Sequence, residues 1–188
     1  MIIFREKLPD DFPTHVHSAE FWEQLGRTIA TFGFLEEILG KAIFAFTATR
    51  QYTEDEIEAA YERWLPTLEK ALIDSLSRLI EAYGKSIRDN KRATISGDEL
   101  QSLLNELTES SEIRNVLCHA SWWMPDVEGK SIPFFVNREK EVFGTPVDIE
   151  FLKQVRRHVV DLICEVIQSV ADMGYQFPGS HFPGKKIW

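Results

Sequence analysis

Three polar residues in the segment IRNVLCHASWW, residues 113–123, could carry out chemistry together. Asn115 and His119 are four positions apart, so in a helix their side chains lie on one flank, and the long side chain of Arg114 can reach the same space. The guanidinium can bind a phosphate, the imidazole can transfer a proton, and the amide can orient either group. These residue types predict phosphodiester transfer without a metal, with Ser111, one turn earlier, and Glu36 as supporting candidates.

Each of these residues also has a structural interpretation. Glu36 falls within the apolar row of the first predicted helix, and a buried ion pair between Glu36 and Arg114 would serve stability rather than chemistry. His119, near a helix end, could interact with the last free carbonyl groups. The neighbouring Cys118 falls in an apolar row, which favours a packed thiol over a nucleophile.

Three other groups of residues invite a functional reading. His15 and His17 in the segment THVHS could contact one metal ion, but without a third ligand nearby the pattern favours a loop. The basic triplet 156–158 is typical of a solvated helix face, with a strip along an RNA cleft as the alternative. Trp122 and Trp123 are predicted to pack in the core, and base stacking is the alternative.

Composition indicates a globular protein and narrows its partners. The 188 residues are 44% apolar and 27% charged, which excludes a disordered chain and predicts a single domain, 1–188, with a core at about 18–174 and a C-terminal arm at 175–188. The net charge of -9 counts against extended binding to a polyanion, because that affinity comes from lysine and arginine. It leaves room for a small cationic site.

Cysteine usage and hydropathy predict the compartment. Cys118 and Cys164 have neither disulfide nor metal-ligand spacing, so we expect a reducing environment and no metal or other cofactor. The N-terminal residues MIIFREKLPDDFP lack the apolar stretch of a signal peptide, and no apolar run is long enough to span a bilayer. The prediction is a cytoplasmic protein without membrane contact.

Four segments have helical periodicity. The first predicted helix runs from Ser18 to about Thr49, and a capping box of Thr53 and Glu56 starts a short second segment. Pro66 is expected to restart or kink this segment into a longer helix that carries Leu72 and ends near Gly84 or shortly after it. A third helix, capped by Ser96 or Asp98, leads into residues 113–123.

The last helix follows a region of different character. Residues 122–147 contain three prolines and two glycines, and the turn DVEGKS before IPFFV predicts a small β-hairpin. Thr145, Pro146 and Asp148 are predicted as the N-cap, N1 and N3 positions of a final helix that ends near Gly174. The predicted fold is mainly α, a four-to-five-helix up-down bundle with a small β-hairpin inserted before the last long helix.

The order Arg114, Asn115 and His119 near the end of the third helix resembles the RNxxxH form of the motif of HEPN (higher eukaryotes and prokaryotes nucleotide-binding) proteins. Residues 18–173 are similar to this family in their order of helices. The resemblance implies a homodimer whose motif helices face each other across a cleft, and a metal-independent endoribonuclease in which the ribose 2′-hydroxyl attacks the adjacent phosphate. Arg114 would stabilise phosphate charge, His119 would act as acid or base or hold the hydroxyl, and Asn115 would orient them.

Such an enzyme could be a toxin or defence component with an RNA substrate. The alternative is a catalytically inactive HEPN-like dimer that binds a nucleotide or a protein partner such as an antitoxin. Ile113 and Val116 lie opposite the apolar row of the third helix, so they predict either a dimer surface or a surface that the hairpin covers. That row consists of Leu100, Leu103, Leu104 and Leu107.

Overall fold

The structure is a computed structural model that describes residues 4–48, 53–90 and 95–180. Helices account for most of these residues. Within these ranges there are five α-helices: α1 (Ala19–Ala48), α2 (Ile57–Ile73), α3 (Leu76–Arg88), α4 (Gly97–His119) and α5 (Ile149–Asp172). Short 3-10 helices span Arg5–Lys7, Thr14–Val16 and Glu54–Glu56. The predicted mainly helical class is confirmed.

Reciprocal side-chain caps start two of the helical segments. The predicted capping box of Thr53 and Glu56 is present before α2. At α4, the Ser96 hydroxyl accepts a hydrogen bond from the Glu99 backbone N–H at 3.2 Å, and the Glu99 carboxylate accepts one from the Ser96 N–H at 3.0 Å. Ser96, rather than Asp98, therefore caps the third long helix, because this pair satisfies two backbone donors that the helix leaves open.

The predicted start of α5 at Thr145 and Pro146 is wrong. The helix begins at Ile149, and the carboxylate of Asp148 caps it by accepting a backbone N–H of the first turn at 2.7 Å. Residues 145–147 stay outside the helix because the backbone of residue 147 forms an antiparallel bridge with that of residue 131. The predicted end near Gly174 is correct. The last residue of α5 is Asp172, and Gly174, with a φ of +80°, ends the helix two residues later.

The predicted helix from Pro66 to about Gly84 is interrupted. Pro66 lies inside α2 without ending it, whereas residues 74 and 75 are extended and separate α2 from α3. Leu72 was expected on the core face, but it is 76% exposed, because the break ends α2 before this face can pack. The leucines at positions 68, 72, 76 and 79 therefore belong to two helices, and only Leu76 and Leu79, in α3, are buried.

The predicted β-hairpin does not form, and no strand occurs among the described residues. The turn is present, with the Asp126 N–H donating to the Lys130 carbonyl at 2.8 Å. No ladder extends from it: the backbone of Ser131 bonds with that of Val147 instead, and the Trp123 carbonyl accepts hydrogen bonds from side chains, His17 Nε2 and Ser131 Oγ, both at 2.9 Å. Three isolated antiparallel bridges, 121 with 134, 131 with 147 and 136 with 142, remain.

Contacts between described residues divide the chain into two compact units. The first unit comprises residues 1–31 and 112–157, and the second comprises 32–111 and 158–188. Helices α1, α4 and α5 each contribute residues to both units. The single domain that the sequence indicates stays a prediction.

In the second unit, helices pack through apolar side chains and buried hydroxyl groups. Tyr83 of α3 contacts Ser169 of α5 through its hydroxyl at 2.7 Å, and its ring lies 6.2 Å from that of Phe46 of α1. Gly84 lies so close to Leu104 of α4 that a Cβ atom would meet a leucine methyl group at 2.8 Å. A side chain at position 84 would therefore have to displace the end of the Leu104 side chain, where α3 and α4 approach closely.

The predicted C-terminal arm is described as far as residue 180. Tyr175 accepts a hydrogen bond from Asn90 Nδ2 at 3.0 Å, its ring packs edge-on against Phe46, and Phe177 is buried. This part of the arm therefore contributes to the core of the second unit. The rest of the arm, 181–188, lies outside the described residues.

Aromatic side chains form much of the core of the first unit. The rings of His17 and Phe21 stack at 4.0 Å, and Trp22 and Trp122 meet Phe21 edge-on. Thr28 of α1 also donates to the Leu152 carbonyl of α5 at 3.2 Å within this unit. Among the described residues, none of the helices has the length and apolar character that crossing a membrane requires.

Candidate functional site

The C-terminal end of α4 carries the three residues of the predicted site. Arg114 and Asn115 are half-buried, and Nη1 of Arg114 lies 3.5 Å from Oδ1 of Asn115, at the outer limit for a hydrogen bond. The amide oxygen therefore faces the guanidinium and helps to hold it. The structure brings these two side chains together as the sequence predicted.

His119 is the last residue of α4, and its side chain is exposed. Its position four residues after Asn115 gives a Cβ separation of about 6 Å on one helix face. The helix ends here because the backbone of Ser121 leaves it to form the antiparallel bridge with Phe134. An imidazole at this end is accessible to a solvent molecule or substrate, and it is not enclosed by the core.

The two supporting candidates, Ser111 and Glu36, both belong to the second unit. Ser111 is buried, and its hydroxyl lies 3.1 Å from that of Ser77 of α3, so it serves helix packing in the second unit. Glu36 is half-buried in α1 and also belongs to the second unit, whereas Arg114 belongs to the first. The ion pair of Glu36 with Arg114 stays a hypothesis.

Trp123 and Phe134 form an exposed aromatic surface in the first unit. Their rings are stacked with centroids 5.8 Å apart and planes 5° apart, yet Trp123 is 60% and Phe134 51% exposed. The prediction that both tryptophans pack in the core holds only for Trp122, which is half-buried against Phe21. The sequence signal was the alternation of Ile132, Phe134 and Val136, which places these side chains on one side of an extended segment.

His17 connects the start of α1 to the segment that follows the site. Its ring is buried, and its Nε2 lies 2.9 Å from the Trp123 carbonyl, which accepts only, so Nε2 carries the hydrogen. Burial lowers the pKa of His17, and the hydrogen bond to Trp123 partly opposes this shift. His15 is exposed and stacks on Phe12, and among the described residues no three potential ligands gather around a metal position.

The remaining predicted groups have mostly structural contacts. Val116 is 4% exposed within the single chain, so it gives no support for a dimer surface, while Ile113 and Cys118 are half-buried. In the basic triplet, Arg156 donates to a glutamine of α1 at 2.9 Å and Arg157 to a glutamate of α5 at 2.8 Å. These two guanidinium groups are held by neighbouring side chains of the first unit.

Comparison with known proteins adds no relative: no family profile, no curated protein and no solved structure matches this chain. The candidate site therefore depends on its own residues and their geometry.

Proposed function

We propose that this chain is a HEPN-like endoribonuclease that cleaves RNA without a metal ion, as a toxin or defence component would. The observation that carries the proposal is the contact between the Arg114 guanidinium and the Asn115 amide at the end of α4, with the exposed His119 imidazole one turn further on. A cation, an orienting group and a proton-transfer group are thus available on one helix end.

The reaction would be an internal transfer at phosphorus. The ribose 2′-oxygen forms a bond to the adjacent phosphorus, and the bond to the 5′-oxygen of the next nucleotide breaks. The products are a 2′,3′-cyclic phosphate and a free 5′-hydroxyl. Arg114 would stabilise the negative charge on the phosphoryl oxygens, and Asn115 would hold the guanidinium in place.

Proton transfer gives a reason for a dimer. One group must accept the proton of the 2′-hydroxyl while another donates a proton to the leaving 5′-oxygen. A single His119 can perform one of these roles in a turnover, so a homodimer that brings two copies of His119 to one cleft would supply both. This arrangement accords with the homodimer that the HEPN resemblance implies.

Substrate recognition would be local. With a net charge of -9, the chain offers little general attraction to RNA, so a few specific contacts must position the substrate. The Trp123 and Phe134 surface begins four residues after His119, and exposed aromatic rings stack readily on unpaired bases. Single-stranded RNA is therefore the proposed substrate class.

Cleavage of a labelled single-stranded RNA in the presence of EDTA tests the proposal. His119→Ala is expected to lower the rate by about 10²- to 10⁴-fold, because it removes the proton-transfer group. His15→Ala provides the matched control, since His15 is also exposed but lies before α1 against Phe12, and this variant should cleave as the wild type does. An RNA with a 2′-deoxy residue at the cleavage position should resist cleavage, and equal rates for the two histidine variants would end the catalytic proposal.

A second candidate is a HEPN-like dimer without catalysis that binds a protein partner such as an antitoxin, or a nucleotide. The acidic charge favours the protein partner, because it offers little attraction to RNA. In that case Arg114→Ala and His119→Ala should leave the cellular phenotype unchanged or only lower stability. Expression of the wild type and of His119→Ala in a host cell separates the candidates. Growth arrest by the wild type alone would exclude the non-catalytic one.

A further inference from the structure

The second unit contains a cavity of about 580 Å³ that none of the candidate site residues lines. Residues of α1, α2 and α3 form its walls, and its volume falls within the range of small-molecule sites. Its apolar lining residues include the partly exposed Trp64, Ala71 and Ala82, with the buried Ile43 and Leu79 behind them. The cavity therefore offers an apolar body of moderate size a place between three helices.

Trp64 is fixed in this wall by contacts with α1. Its indole N–H donates to the Thr47 hydroxyl at 2.9 Å, and that hydroxyl donates to the Ile43 carbonyl at 2.6 Å. The ring of Phe44 meets the indole edge-on at 5.5 Å. Because the indole N–H is already bonded, the ring presents carbon surface to the cavity, where it can contact an apolar ligand.

Three cationic side chains, Arg63, Lys70 and Lys85, also line the cavity, and all three residues are exposed. None of them forms a salt bridge with a residue in the described parts of the chain, although several other lysines and arginines do. Arg63 contributes to the lowered pKa of Glu56, after the hydrogen bonds from Thr53, so its charge is partly balanced by that carboxylate. In a chain with a net charge of -9, three cations around one cavity still favour an anion there.

Two carboxylates share the lining and set the charge balance. Oδ1 of Asp74 lies 3.4 Å from Nη1 of Arg78, a cation outside the lining. Asp89 follows Arg88, the last residue of α3. Three cations against two carboxylates, one of them paired elsewhere, leave an excess of positive charge for a ligand with a single negative group. A ligand with several negative charges would meet both carboxylates.

Helix α2 has a packing deficit that such a ligand would reduce. Of its 17 residues, Ala60 alone is buried. A helix gains most of its stability from burying an apolar face, so α2 contributes little to the core by itself. An apolar group between Trp64 of α2 and Leu79 of α3 would add the missing contact.

From these observations we propose that the cavity binds a small amphiphilic organic anion. The apolar body would lie mainly against Trp64, Ala71 and Ala82, and a single carboxylate would lie among Arg63, Lys70 and Lys85. Binding would connect α2 with α1 and α3 and so raise the thermal stability of the protein. This site is independent of Arg114, Asn115 and His119.

Decanoate, below its micelle-forming concentration, is the probe. Its binding is followed through the indole N–H resonances in ¹⁵N spectra of the full chain, with Trp64 assigned by Trp64→Phe. We expect a saturable shift of the Trp64 resonance and a higher Tm. Decanol, which has no charge, and decyltrimethylammonium, which has a positive head, should each bind at least about tenfold more weakly, a difference of about 1.4 kcal/mol.

Two double variants with the same change of net charge isolate the cationic group. Lys70→Gln with Lys85→Gln should weaken decanoate binding about tenfold or more, whereas Lys7→Gln with Lys140→Gln, at exposed positions outside the cavity, should leave it unchanged. Equal weakening by both pairs, decanol that binds as tightly as decanoate, or a shift at the exposed Trp123 instead of Trp64 would each overturn the proposal.

Discussion

Replacing Tyr83 with phenylalanine removes a single hydroxyl group from the core of the second unit. Ser169 donates its own hydrogen to the Val166 carbonyl at 2.8 Å, so the 2.7 Å contact must be a bond that the Tyr83 hydroxyl donates. Phenylalanine fills the same space and leaves the Ser169 bond to Val166 in place. Near neutral pH we therefore expect a loss of about 0.5–1.5 kcal/mol in the free energy of unfolding.

The larger effect of this substitution appears at alkaline pH. Burial raises the pKa of Tyr83 to about 12 from its ordinary value of 10.0, and the charge of Glu165 adds to the rise. In the unfolded chain the phenol of Tyr83 loses its proton near pH 10, whereas in the folded chain the phenol stays protonated. The unfolded state therefore binds fewer protons than the folded state, and the free energy of unfolding falls as the pH rises. Two units of pKa correspond to about 2.7 kcal/mol, lost between about pH 10 and pH 12.

Urea unfolding of the wild type and Tyr83→Phe, measured at intervals from pH 7 to pH 11.5, checks this reasoning. All other titrating groups are common to both proteins, so the difference between their unfolding free energies isolates Tyr83. At pH 7 the wild type should be the more stable protein. As the pH rises above 10, its advantage should disappear, and Tyr83→Phe should then be the more stable protein. Parallel curves for the two proteins over the whole range would refute the assigned burial of the phenol.

Further predictions address packing, histidine ionisation and substrate contact. Gly84→Ala should destabilise the protein by roughly 1 kcal/mol in thermal unfolding, because its Cβ would meet Leu104. Gly26→Ala is the control, because there is open space at this position of α1, and it should stabilise the protein by about 0.5–1 kcal/mol. Stabilisation by both substitutions would contradict the close approach of α3 and α4. Because the pKa of His17 is lowered, its contribution to stability is complete above pH 6.5 and is lost as the pH falls below that value. On acid titration, the free energy of unfolding of His17→Asn should therefore fall less than that of the wild type. If the proposed ribonuclease activity is present, Trp123→Ala should raise KM for single-stranded RNA about tenfold with little change in kcat, and an unchanged KM would exclude base stacking there.

Local features of this protein could be predicted from the sequence because they depend on residues close together in the chain. Thr53 with Glu56 and Ser96 with Glu99 meet across three positions, and Gly174 closes α5 through its own backbone freedom. The same locality explains why Arg114 and Asn115 are found in contact. Helical class, most helix ends and the composition of the candidate site are therefore properties of the sequence alone.

Other features were decided by contacts between distant residues. The backbone of residue 131 pairs with that of residue 147 instead of extending a hairpin, and the same pairing shifts the start of α5. His17, 106 positions away, binds the Trp123 carbonyl. Ser111 and Val116 become buried, whereas Trp123 remains exposed, although helical or strand periodicity does not distinguish these outcomes. A periodic pattern shows which side of an element is apolar, but only the tertiary structure determines what covers that side and which backbone groups are already bonded.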